Sequence, residues 1–331
     1  MQGFISIFSF LLVALLSNFA VASDVANHEY IPVGIMNHHV HKKNEFMASY
    51  TYQDMQMSGM TDDGKNKSTQ DVLTGGYMMV PETMSMRMHM FDLMYGATDK
   101  LTLAVMGSYL QKSMTSMHDS AHNYKVADEH ANGIGDTKIH AMYAIGHGRN
   151  KLNVSLGISL PTGSIEQADH HGNRAGYNMQ TGSGSYELLP SLVYSSSFGG
   201  YSYGGQIDIT RRLNNNKFNY KFGDQYHATA WVSKALHKNI AGSLRVDYTN
   251  SKNINGVDSD VDVMDSPTNN GSFYAGNVAN IFAGVDFVAQ NGMLAGYRFV
   301  FEGGLPVYQK LDGMQMKRGS IVTFGIQKYI K

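Results

Sequence analysis

From Phe46 to Lys331 the chain divides into stretches of about ten residues in which apolar and polar side chains alternate, joined by connections that are by turns short and long. A strand crossing a bilayer needs about 9 to 11 tilted residues, and its side chains point alternately to lipid and to lumen. The pattern predicts an all-β fold, an antiparallel transmembrane β-barrel of about 12 strands with short periplasmic turns and long extracellular loops.

Strands are expected near 46–57, 84–95, 101–113, 136–146, 151–160, 185–196, 201–213, 224–236, 240–250, 276–289, 293–303 and 319–329. Tight connections rich in Gly, Asn and Asp follow the second, fourth, sixth, eighth and tenth, up to Gln290–Gly292. The others, such as 58–83, 114–135, 161–184 and 251–275, are long and polar. Register can be read strand by strand, because a slip of one residue would turn polar groups toward lipid. Leu152, Val154, Leu156, Ile158 and Leu160 oppose Asn153, Ser155, Gly157 and Ser159. By the same reasoning Arg245 and Asp247 face inward, as do Arg298 and Glu302, with Asp208 on the lumen side of its own strand.

Residues 1–22 are expected to be a cleaved signal peptide: Phe4 to Leu16 is almost wholly apolar and Ala20-Val21-Ala22 offers small residues to a peptidase, although no Lys or Arg precedes the run. Residues 23–45 then form a periplasmic amino-terminal segment long enough to fold inside the barrel as a plug, and 46–331 form the barrel. The absence of Cys excludes disulfides and thiol chemistry, and a formal charge of −1 argues against a nucleic-acid partner. Expected surroundings are outer-membrane lipid and lipopolysaccharide in a Gram-negative bacterium, reached through the barrel assembly machinery.

Methionine is the second anomaly, since 17 of the 22 lie at or before Met142. On the second strand Met84, Met86, Met88, Met90 and Met94 share a face with Asp92, which should not meet lipid; this turns the thioethers inward. Arg87 and His89 fall on the opposite face, so a bulge or an early strand end is needed to keep them from lipid. Met106, His140 and Met142 have polar neighbours that also place them in the lumen. Met is a flexible filler of irregular interiors, so packing or a greasy conduit is the first explanation for such a stripe. Thioether and imidazole together also suit copper, above all Cu(I). His38, His39 and His41, with Met84, Met86, Met88 and Met90, are accordingly the metal candidates; in an extended segment His39 and His41 would project to one side and His38 to the other. No resident cofactor is expected, and copper would be a transient ligand. Neither a Gly-x-Ser-x-Gly elbow on a strand-to-helix turn nor a phosphate-binding glycine motif is present, so catalysis is not expected.

Gly34-Ile35-Met36 with His41-Lys42-Lys43-Asn44-Glu45-Phe46-Met47, then Gly133-Ile134-Gly135-Asp136, Leu156-Gly157-Ile158-Ser159-Leu160-Pro161-Thr162-Gly163-Ser164 and Gly304-Leu305-Pro306-Val307-Tyr308, resemble the outer-membrane transporter family named after the meta-pathway of phenol degradation. The resemblance spans most of the chain after residue 22. It implies a barrel passing a small solute, with phenol-type compounds suggested by the family's name alone and no defined functional residues to carry over. The expectation is a monomeric channel or facilitator for a small-molecule or metal-ion solute, with copper as a specialisation. An aromatic or hydrophobic uptake channel, a non-conducting structural membrane protein and an outer-membrane lipid hydrolase are the alternatives.

Overall fold

The computed structural model describes residues 30–120, 123–146, 149–169 and 172–330. The expected signal peptide, residues 1–22, lies outside them. The strands are β1 (Phe46–Asp62), β2 (Lys65–Lys67), β3 (Met79–Gly96), β4 (Leu101–Ser120), β5 (Asn123–Ile134), β6 (Thr137–Ala144), β7 (Asn150–Leu160) and β8 (Glu187–Phe198). After them come β9 (Tyr201–Arg212), β10 (Tyr220–Lys221), β11 (Gln225–His237), β12 (Ile240–Ser251), β13 (Asn255–Gly256), β14 (Gly276–Val288), β15 (Tyr297–Leu311) and β16 (Met314–Ile330). β1, β3, β4, β6, β7, β8, β9, β11, β12, β14, β15 and β16 pair in that order, all antiparallel, and β16 returns to β1. A closed antiparallel barrel of twelve strands results, and closure leaves none of these strands as an unpaired edge. The remaining short strands belong to the loops: β5 continues the β4 hairpin from Tyr109 outward, after β6 has paired with Leu101–Met106.

The alternation in β7 becomes two faces, with Leu156 55% exposed on the outer surface and Ser155 8% exposed on the inner one. The same apolar outer face recurs at Leu93, Val105, Ile207, Val285 and Phe301. A charge on that surface must be desolvated by lipid. Leu156→Arg should therefore lower stability by about 2 to 4 kcal/mol in folding titrations, and Ser155→Arg should cost much less. Greater damage from Ser155→Arg would invert the register.

Several connections differ from the sequence expectation; that at 114–135 is mostly strand, taken up by β4 to Ser120 and by β5. The tenth runs from Ala289 to Gly296, longer than Gln290–Gly292, and β15 starts four residues later than expected. The last is not long at all: β15 and β16 continue to a two-residue turn at Asp312-Gly313, with Gly313 at φ 77°. Strands that rise above the bilayer need no lipid-facing alternation, so this extension lacks the pattern that marks the others.

β3 also continues past Arg87 and His89 without ending, and its register shift lies beyond them, between Pro81 and Thr83. Neither a bulge nor an early end at those residues is needed. Arg87 lies on the outer face, where its Nε is 3.3 Å from Asp54 Oδ2, and His89 Nδ1 is 2.8 Å from the Tyr50 hydroxyl. Nine residues separate Arg87 from Gly96, about 23 Å of height at the usual rise and tilt, which places it near the rim of an apolar band about 25 Å tall.

Candidate functional site

Residues 30–45 enter the barrel from the short-turn end. Ile31 and Ile35 pack on Val193 and Trp231, and Val40 packs on a cluster of Met47, Met94, Ala104 and Met142. The segment has no regular secondary structure, so its backbone groups need side-chain partners. The inward strand faces supply them. Arg298 donates to Ile31 O, Gln206 Nε2 to Met36 O at 3.0 Å, Asn153 Nδ2 to His38 O at 2.6 Å, and His41 N to Thr102 Oγ1 at 2.8 Å. Gly34 lies where a Cβ would run into the Arg245 guanidinium, so the plug backbone passes directly over that side chain.

The charged residues assigned to the lumen are therefore mostly covered. Arg245 grips Glu302 through Nε and Nη2 at 2.8 and 2.9 Å and Asp247 through Nη1 at 3.0 Å, and its guanidinium lies 3.8 Å over the Phe282 ring. Asn280 holds the other Asp247 oxygen at 2.8 Å. Arg298 pairs with Asp286, a residue the sequence reading did not single out although its inward register was available. Asp208 is half-buried and accepts from Gln206 Nε2 at 2.8 Å, with His227 Nδ1 2.9 Å away. Arg245, Glu302, Asp286 and Arg298 thus form buried ion pairs rather than an open charged wall, and they make the seat on which residues 30–45 rest.

The three plug histidines stand together, ring centroids 4.4 Å apart for His38 and His39 and 4.6 Å for His39 and His41. His39 and His41 lie on one side as the alternation expects, and the His38 ring nonetheless lies against that of His39. His38 Nδ1 donates to Ile35 O at 2.8 Å, and among the described residues no three His, Asp or Glu side chains converge as a metal site. Asn37 Nδ2 reaches His140 Nδ1 at 3.4 Å, and the His140 ring lies over Gly157.

The opposite, long-loop end carries a second closure. Met60, Val72, Val80, Met84, Met114, Ala131, Ala175, Met179 and Met316 form one buried cluster drawn from β1, β3, β4, β5, β16, the 161–186 loop and a short helix at Thr69–Thr74. The helix starts on a capping box in which Ser68 Oγ accepts from Asp71 N and the Asp71 carboxylate accepts from Ser68 N. Asn178 Nδ2 lies 3.3 Å from Met114 Sδ and 3.6 Å from Met84 Sδ, while Lys112 Nζ donates to Asn178 O and Gln180 O at 2.8 and 2.6 Å. Beside it, Tyr177 of the 161–186 loop meets Tyr220 and Tyr274 of two further loops.

The methionine stripe of β3 thus connects the two closures. Met84 (4% exposed) belongs to the cap and Met94 (4% exposed) to the plug seat. Between them Met86, Met88 and Met90 face inward and stay half-buried, as does Met106 on β4. Opposite them stand Met55, Gln53 and Thr51 of β1.

The chain matches a family model described as "Putative MetA-pathway of phenol degradation" over residues 61–260. The chain belongs to this family. Among solved structures it is similar to an outer-membrane channel from Pseudomonas putida, at 12% identity and a TM-score of 0.61, covering 94% of this chain and 100% of that one. A Pseudomonas aeruginosa FadL homologue gives 8% identity and a TM-score of 0.43, with 86% and 90% covered. The β domain of the Bordetella autotransporter BrkA gives 10% identity and 0.45, with 87% and 100% covered. At 12% identity the likeness to the Pseudomonas putida channel is one of fold. No curated protein matches the sequence.

Proposed function

We propose that the chain is an outer-membrane channel or facilitator for small solutes, captured with both ends closed. The observation that carries this reading is the partly exposed state of Met86, Met88, Met90 and Met106 on an inward face whose two ends are buried. A stripe that served packing alone would be covered along its whole length. The thioethers offer an uncharged, polarizable wall, suited to small apolar molecules or to soft ions. Short turns and the plug face the periplasm in this reading, and the loop cap faces outward.

Two solute classes fit the wall. The family's description supports an aromatic compound; the concentration of sulfur supports copper in transit. The test of the channel itself is conductance in planar bilayers, for the chain with and without residues 30–44. The plug-free form should conduct strongly and the intact form little. Silence from both, with the barrel correctly assembled, would leave a structural membrane protein.

A further inference from the structure

Among the described residues Asp92 and, out in the β4–β5 hairpin opposite Met114, Glu129 are the buried carboxylates without a hydrogen bond or ion pair, and Asp92 alone of the two lies between the cap and the plug. Asp247 and Glu302 are held by Arg245, Asp286 by Arg298, Glu187 by Arg212, and Asp208 by Gln206 and His227. Asp92 is 9% exposed, and among the described residues its side chain has no hydrogen bond or ion pair. Three of its four neighbours on that face carry sulfur. Met90 and Met94 stand two residues away on the same face of β3, about 6.6 to 6.8 Å along the strand. Met106 lies directly opposite on β4, and Ser49 opposite on β1.

Thioethers have lone pairs but no protons to give, so they cannot satisfy a carboxylate. Burying an ionised carboxylate without a counter-charge is expensive. A bound cation resolves both deficits, if it accepts thioether sulfur and a single anionic oxygen. Mg²⁺ and Ca²⁺ require shells of oxygen, and structural zinc takes thiolate, imidazole and carboxylate ligands. A monovalent cation with a preference for sulfur matches the charge and the donor set together.

We propose that Asp92, with Met90, Met94 and Met106, forms a binding site for copper(I), the carboxylate cancelling the ion's charge and the thioethers supplying its soft ligands. The site depends on the channel reading for access alone. Its place between the cap and the plug makes it a station inside the lumen, and Met88 and Met86 continue the sulfur line toward the cap.

The experiment is an anaerobic titration of the purified full chain in detergent with Cu(I), against a chromogenic Cu(I) chelator. One tight equivalent is expected. Asp92→Asn and Met106→Leu should each weaken it by about 10- to 100-fold or more, the range that loss of even an outer partner of a metal ligand produces. Met293→Leu, fully exposed in the tenth connection, should leave it unchanged. Urea unfolding of metal-free Asp92→Asn should show a fold at least as stable as the parent, because an unpaired buried charge has been removed. No uptake by the parent chain, or Asp92→Asn binding as tightly as the parent, overturns the site. So does an infrared signature of a protonated carboxyl in the parent that persists when Cu(I) is added. Conductance is read on the same preparations, so a channel that conducts but takes no Cu(I) disproves this site without touching the channel, and the reverse result separates the other failure.

Discussion

Glu302→Gln should destabilise the barrel by about 3 to 5 kcal/mol, toward the lower end because Asp247 remains beside Arg245. The change preserves shape and removes only the charge. Arg245 is 5% exposed and Glu302 1%, so the guanidinium left behind cannot turn to water, and the plug backbone at Gly34 closes off the space above it. The outer-surface pair Arg87 and Asp54 provides the contrast. Its Arg side chain is 55% exposed, and Asp54→Asn should cost about 1 kcal/mol or less. Urea titrations of folding into vesicles measure both. Equal effects at the two positions would mean that the lumen around Arg245 is wet and that the plug does not seal it.

The physics of the bilayer decides which parts of this architecture can be read from the chain. At Leu152–Leu160 every second residue must be apolar because lipid offers no hydrogen bonds, and the strand is visible for that reason. Above the bilayer the constraint disappears, and with it the signal: the β15–β16 extension reads as loop, although the Asp312-Gly313 pair is itself a hairpin cue that could have located it. Arg87 looks like a violation of the register until the height of the strand is counted, and His89 until its bond to the Tyr50 hydroxyl is seen. The methionines show a different limit. Their shared inward face follows from Asp92, but nothing local reveals that Met84 belongs to one closure and Met94 to the other, since the partners that bury them come from the 161–186 loop and from residues 30–45. The histidines show the same limit in reverse. Their proximity in sequence suggests ligands, but only the fold shows their rings packed tilted and edge-on against one another, with His38 bonded to Ile35 O. Asp286 was legible from alternation alone, and becomes notable only because Arg298 reaches it while also holding Ile31 O.

Acid should release the plug before it unfolds the barrel. Burial, with the Arg298 guanidinium nearby, pushes His38 down to about 3, and the Lys151 ammonium and His41 add smaller effects in the same direction. Burial holds His39 well below the ordinary histidine range, and it lowers His41 against the opposing pull of Glu45. All three are therefore neutral when docked. Above pH about 6.5 an undocked plug is neutral too, so docking is insensitive to pH there. As the pH falls from about 6.5 toward 3, the undocked histidines take up protons that the docked ones refuse. Each fully differential group then weakens docking by up to about 1.4 kcal/mol per pH unit. The chain's single Trp is a reporter, because Trp231 packs against Ile31 and Ile35 of the plug. Its fluorescence should move toward that of a solvated indole between pH about 6 and 4, reversibly, while the barrel keeps its heat-resistant mobility on gels. His38→Asn should shift the response to lower pH by removing one titrating group. A Trp231 signal that stays constant down to pH about 4, or that changes only when the barrel itself melts, would show that the plug stays docked independently of its histidines.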